Sequence, residues 1–84
     1  MEETERLKDK GNQHFKSKEY AQAIVCYSNA LKADNDVTQS ISHILYTNRA
    51  ICLFQLQKYK ESLDDSEKAI LINPKWEKVP WVLN

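Results

Sequence analysis

One glycine and two prolines in 84 residues leave little turn punctuation. A sheet protein needs more, because its hairpins depend on residues that accept positive φ or interrupt a strand. An excess of charge of one sign is lacking too. Twelve basic residues balance twelve acidic ones, for a formal net charge of zero. That excludes nucleic-acid binding carried by bulk charge. The longest uninterrupted apolar run is the five residues Ala50-Ile51-Cys52-Leu53-Phe54, far short of the roughly 20 a membrane span needs. The opening Met1-Glu2-Glu3 is acidic, unlike the basic start of a secretory leader. Two cysteines, Cys26 and Cys52, are too few and too far apart for a metal site or a secreted disulfide framework. They read as reduced, semi-buried thiols, and the expected compartment is the cytoplasm.

A 42 % hydrophobic and 29 % charged composition is that of a globular domain and argues against disorder along the whole chain. The length allows a single small domain of thin stability. Apolar and small residues recur at intervals of three and four. Leu7, Gly11, His14 and Phe15 form one stripe; Tyr20, Ala23, Ile24, Tyr27, Ala30 and Leu31 form a second. A third runs Ile41, Ile44, Leu45, Asn48, Cys52, and a fourth Leu63, Ser66, Ala69, Ile70. Each stripe puts its residues on one helical face. The pattern predicts helices near 3–17, 19–33, 39–56 and 59–72. Asp36, Thr38 and Ser40 compete as N-cap of the third, and Asn73-Pro74 stops the fourth.

Sliding the chain by 39 residues superposes its halves: Phe15 on Phe54, Tyr20 on Tyr59, Ala30 on Ala69, Gly11 on Ala50. The small residues Gly11, Ala23, Ala30 share their spacing with Ala50, Ser62, Ala69. Small residues at those points let antiparallel helices approach closely. The pattern Leu7-x-x-Lys10-Gly11-x-x-His14, Ala23-x-x-x-Tyr27, Ala30 and its second copy Tyr46-x-x-Arg49-Ala50-x-x-Leu53, Ser62-x-x-x-Ser66, Ala69, Pro74 resemble the tetratricopeptide repeat, a helix-turn-helix unit of about 34 residues. The resemblance implies an all-α fold: antiparallel helix pairs stacked as a short right-handed superhelix. The first repeat spans about 4–37, the second about 43–76, and 77–84 form an incomplete third unit or cap. Such units complete their core by stacking. The apolar Trp76, Trp81, Val82 and Leu83 are therefore expected to fold back on the fourth helix, or else to drive self-association.

No catalytic constellation is evident, and no enzyme activity or cofactor is expected. The sequence has neither a Gly-rich phosphate loop nor G-x-S-x-G. His14 reads as a semi-buried packing residue and His43 as lying on or near the surface. Asp64-Asp65 reads as a solvated face, since adjacent helical residues diverge.

In a repeat of this kind the first helix of each pair lines a concave groove. There, Lys8, Asn12, Phe15 and Lys16 follow one another on the first helix, Asn48, Ile51 and Phe54 or Gln55 on the third, and Lys78 opens the next unit. Ammonium groups and amides converging on one groove suit carboxylates. Lys8-x-x-x-Asn12, Asn48 within Leu45-Tyr46-Thr47-Asn48-Arg49-Ala50, and Lys78 after Pro74-x-Trp76 resemble the carboxylate clamp of co-chaperone tetratricopeptide domains. That resemblance implies a grip on the C-terminal Glu-Glu-Val-Asp of heat-shock chaperones of the Hsp-ninety and Hsp-seventy classes. Phe15, Lys16, Ile51, Phe54 and Gln55 would line the groove. Where the family has an arginine four residues after the lysine, this chain has Val82. The alternative function is a structural assembly module using its uncapped apolar end.

Overall fold

The computed structural model describes residues 2–35 and 40–75. Four helices follow in chain order: α1 (Glu2–Lys16), α2 (Tyr20–Ala33), α3 (Ser42–Gln55) and α4 (Tyr59–Ile72). Among the described residues there is no strand. Helix α1 packs on α2, α3 on α4, and α2 on α3, so two hairpins of helices stack through their middle members. The fold is the all-α stack of paired helices that the resemblance implies, with the helices where the periodicity puts them. Its core is Ala23, Tyr27, Ala30, Leu45 and Cys52, with Leu7, Phe15, Tyr20, Ile24, Leu31 and Ile41 packed against it.

Both turns within the hairpins are closed in the same way. Lys18 and Gln57, 39 positions apart, each adopt the left-handed region, at φ of 62° and 64°. The Glu19 N–H donates to His14 O at 2.8 Å and the Lys18 N–H to Phe15 O at 2.9 Å. In the second hairpin Lys58 N–H donates to Leu53 O at 2.8 Å and Gln57 N–H to Phe54 O at 2.9 Å. This paired pattern satisfies the last carbonyls of a helix and reverses the chain at a residue of positive φ. After each turn an aromatic pair locks the hairpin edge to face: Phe15 on Tyr20 at 5.7 Å and Phe54 on Tyr59 at 5.2 Å between ring centroids.

The helix faces meet differently in the two hairpins. A Cβ placed on Gly11 would come within 2.6 Å of Tyr27 Cε1, so the Tyr27 ring occupies the space that any other residue at position 11 would need. In the second hairpin the counterparts are Ala50 and Ser66, both fully buried. Ser62 Oγ there donates to Ala50 O at 2.7 Å, and Ser66 Oγ to Ser62 O at 3.0 Å. A large residue against glycine in one hairpin is replaced by a small one against alanine in the other.

Helix α3 begins later than the expected position 39, and its N-cap differs from the candidates. Asp36 and Thr38 lie outside the described residues. Ser40 precedes the N-cap position, which is Ile41 and makes no side-chain capping bond. Ser40 Oγ nonetheless accepts the Ser42 N–H at 3.2 Å, and Asp34, one residue past α2, anchors this start. Its Oδ2 receives the Ile41 N–H at 3.0 Å, Ser40 Oγ–H at 3.0 Å and Ser42 Oγ–H at 2.8 Å. One carboxylate thereby ties the end of α2 to the start of α3. The expected tail cap of Trp76, Trp81, Val82 and Leu83, together with residues 77–84, also lies outside the described residues.

Candidate functional site

Helices α1 and α3 flank a hollow of about 310 Å³. Its lining includes Lys8, Asn12 and Phe15 from α1 and Ile44, Asn48 and Ile51 from α3, with Tyr27 of α2 at its floor. Asn12 and Asn48, 36 positions apart, meet here: Asn48 Nδ2 lies 3.4 Å from Asn12 Oδ1. The same Oδ1 receives the Tyr27 hydroxyl at 2.5 Å. Burial, with the nearby Cys52 and Cys26 as lesser causes, pushes the Tyr27 phenol well above its ordinary pKa, so it remains a neutral donor. Lys8, half-buried, holds Glu5 Oε1 at 3.2 Å. This is a surface i,i+3 pair of small net strength.

Five of the residues singled out in the sequence thus border one hollow: Lys8, Asn12, Phe15, Asn48 and Ile51. Three do not. Lys16 and Gln55 are exposed at the ends of α1 and α3. Phe54 turns to Tyr59 and closes its hairpin instead of lining the groove. Lys78 and Val82 lie outside the described residues. The sequence reading missed Tyr27 and Ile44 as groove residues. Ile44 sits one turn before Asn48, a spacing that shares a face. For Tyr27 the signal was its hydroxyl, since a buried tyrosine needs a partner for that group.

The Asp64-Asp65 expectation is corrected for one of the pair. Asp64 is exposed, but Asp65 is only 3 % exposed. Its two oxygens receive Arg49 Nε at 2.6 Å and Nη2 at 2.9 Å, and Arg49 Nη1 donates to Ser28 Oγ at 3.0 Å. The bidentate bond to Asp65 raises the Arg49 pKa further above its ordinary value. This fork joins α2, α3 and α4. Arg49 and Lys68 also lie 5.5 and 5.6 Å from the centre of the Tyr46 ring. His14 is half-buried as expected, but its Nδ1 lies 2.7 Å from Glu19 Oε1 across the turn. Cys26 and Cys52 are free thiols, both buried.

A family model for the tetratricopeptide repeats of BSK1-like serine/threonine-protein kinases matches residues 1–82. The chain belongs to the tetratricopeptide repeat family. Protein unc-45 homolog B of Xenopus tropicalis is 43 % identical over 70 residues, which is 83 % of this chain and 7 % of that protein. Mitochondrial import receptor subunit TOM70 of Rattus norvegicus is 38 % identical over 78 residues, 93 % of this chain and 13 % of the receptor. The Hsp70/Hsp90 co-chaperone CNS1 of Saccharomyces cerevisiae is 38 % identical over 71 residues, 84 % of this chain and 18 % of the relative. This chain therefore corresponds to a small part of each relative. The two helical hairpins are two repeats, and the hollow lies along the first helix of each.

Proposed function

We propose that this repeat pair is a non-catalytic interaction module that captures the carboxylate end of an acidic peptide, of the Glu-Glu-Val-Asp type carried by Hsp70 and Hsp90 chaperones. One observation carries the reading. Lys8 and Asn12 from the first repeat and Asn48 from the second border the same hollow, with the two amides in contact. An ammonium and two carboxamides offer charge and directed N–H donors to a carboxylate, while Phe15, Ile44 and Ile51 offer apolar walls to the side chain beside it. The likeness to CNS1, an Hsp70/Hsp90 co-chaperone, supports the same partner class. Lys78 is proposed as a further ligand from the next unit. The cytoplasm, where those chaperones meet their partners, is the proposed compartment.

Each charge pair contributes about 1 kcal/mol in water-like surroundings and about 4 at an effective dielectric of about 20, so several contacts must act together. The test is a two-dimensional amide NMR titration with a peptide ending in Glu-Glu-Val-Asp, beside its C-terminally amidated form. Shifts are expected around Lys8, Asn12 and Asn48 with the free acid alone, weakening as salt is added. Lys8→Ala should weaken binding about tenfold or more. Equal affinity for both peptides, or no effect of Lys8→Ala at low salt, refutes the reading.

A second reading, assembly through the open end, has its own observation. Phe15, Tyr20 and Ile24 of the first repeat are partly buried against the core that α3 helps build. Their counterparts Phe54, Tyr59 and Leu63 are 40, 55 and 43 % exposed. Sedimentation that stays monomeric at high concentration would remove self-association through this face, and Trp76, Trp81, Val82 and Leu83 with it.

A further inference from the structure

Asn12 presents an amide, and an amide serves a carboxylate only by its N–H side. Turned over, it offers an oxygen that repels one. What fixes its orientation lies beneath it. Tyr27 is 1 % exposed, yet its hydroxyl reaches the floor of the hollow and donates to Asn12 Oδ1 at 2.5 Å. Asn48 Nδ2 approaches the same oxygen at 3.4 Å. With the oxygen held by two donors, the Asn12 Nδ2 is left for a ligand. We propose that Tyr27 is a positioning residue for the groove: its buried hydroxyl pins the Asn12 amide with the N–H donors presented to an incoming carboxylate. This rests on the carboxylate-binding reading above.

The second repeat supplies an internal contrast. At the position of Asn12 it has Ile51, and at the position of Tyr27 it has Ser66. Ser66 Oγ donates to Ser62 O inside its own helix. Where the amide is absent, the phenol is absent too. Packing against glycine requires only the ring of Tyr27, which phenylalanine would supply equally. The hydroxyl is therefore explained by its partner and not by the close approach of α1 and α2.

Tyr27→Phe keeps the ring over Gly11 and removes the one bond in question. Affinity for the free-acid Glu-Glu-Val-Asp peptide is measured for the unaltered chain, Tyr27→Phe, Asn12→Ala and the double variant, at a temperature where melts show all four folded. The expected result is about a three- to tenfold loss for Tyr27→Phe, the range of one neutral hydrogen bond, and no further loss when Asn12 is already alanine. Unchanged affinity, or the same loss in both backgrounds, overturns the positioning role. A second measurement separates this from the wider reading. In the ligand-free protein the pair of Asn12 side-chain NH₂ signals, distinct in any primary amide, should move in Tyr27→Phe toward the shifts of a solvent-exposed asparagine. If the unaltered chain ignores the peptide, the carboxylate reading falls while these signals still decide whether Tyr27 pins the amide; signals unmoved by Tyr27→Phe overturn it.

Discussion

Arg49 and Asp65 show what a single residue contributes here. Removing the guanidinium strands a carboxylate that is only 3 % exposed. Arg49→Ala should therefore cost about 3 kcal/mol, read as a drop of some 12–24 °C in melting temperature. Asp64→Ala, one position before the buried partner, should move the melt by no more than about 0.5 kcal/mol. The sequence offered the information to separate the two carboxylates. Ser62, Asp65, Ser66 and Ala69 recur at intervals of three and four, which puts Asp65 on the buried face and Asp64 a hundred degrees away. Reading the acidic pair as one surface feature obscured this, and a charged residue in a small core is rare enough to mislead. Cys52 gives a pH signature. Burial raises its thiol from 9.0 to about 12. Above about pH 9 the unfolded chain sheds a proton that the folded chain keeps, so folding stability must fall as pH rises through that window. Denaturant midpoints should be flat in this respect below pH 8 and decline from pH 9 to 11, the decline shrinking in Cys52→Ala.

Among the elements, the helices were legible because a 3.6-residue period survives in any sequence that buries one face. Helix α4 spans 59–72 as the pattern predicts, and α1 and α2 fall within a residue of expectation. The start of α3 was not legible. Ser40, one of the candidates, accepts the Ser42 N–H, but the anchor of this start, Asp34, lies eight residues before Ser42, and local capping rules look only next door. The turns were visible as polar breaks, but not their left-handed residue, because neither is glycine. Lys18 and Gln57 hold a conformation that costs an ordinary residue about 1 kcal/mol or more. Gln57→Gly should thus stabilise by about 0.5–1 kcal/mol after the entropy lost with glycine, and Lys18→Gly likewise. Thermal melts of each variant and of the pair check this, with near-additive gains because the turns belong to different hairpins.

For the whole molecule, stability is a sum over two hairpins and the interface between them. The interface side of the first repeat is covered, whereas α4 exposes Tyr59, Leu63, Leu71 and Ile72. Hydrogen exchange should therefore be fastest at α4, and α2 and α3, each packed on two neighbours, should be slowest. Protection in α4 equal to that in α2 would mean that something covers its outer face. Of the hollow, the sequence disclosed the polar residues, since they form a recognisable set. It did not disclose the floor, because Tyr27 serves the core and the hollow at once. Asp34 has a consequence at this scale as well. It is not among the residues that line the hollow, yet it clasps the junction between the repeats that carry its two sides. Lys8 and Asn12 ride on one side of that junction and Asn48 on the other. The carboxylate thus sits like the rivet of a pair of tongs, remote from the tips, and shares with the packing of α2 on α3 the work of holding them at one spacing.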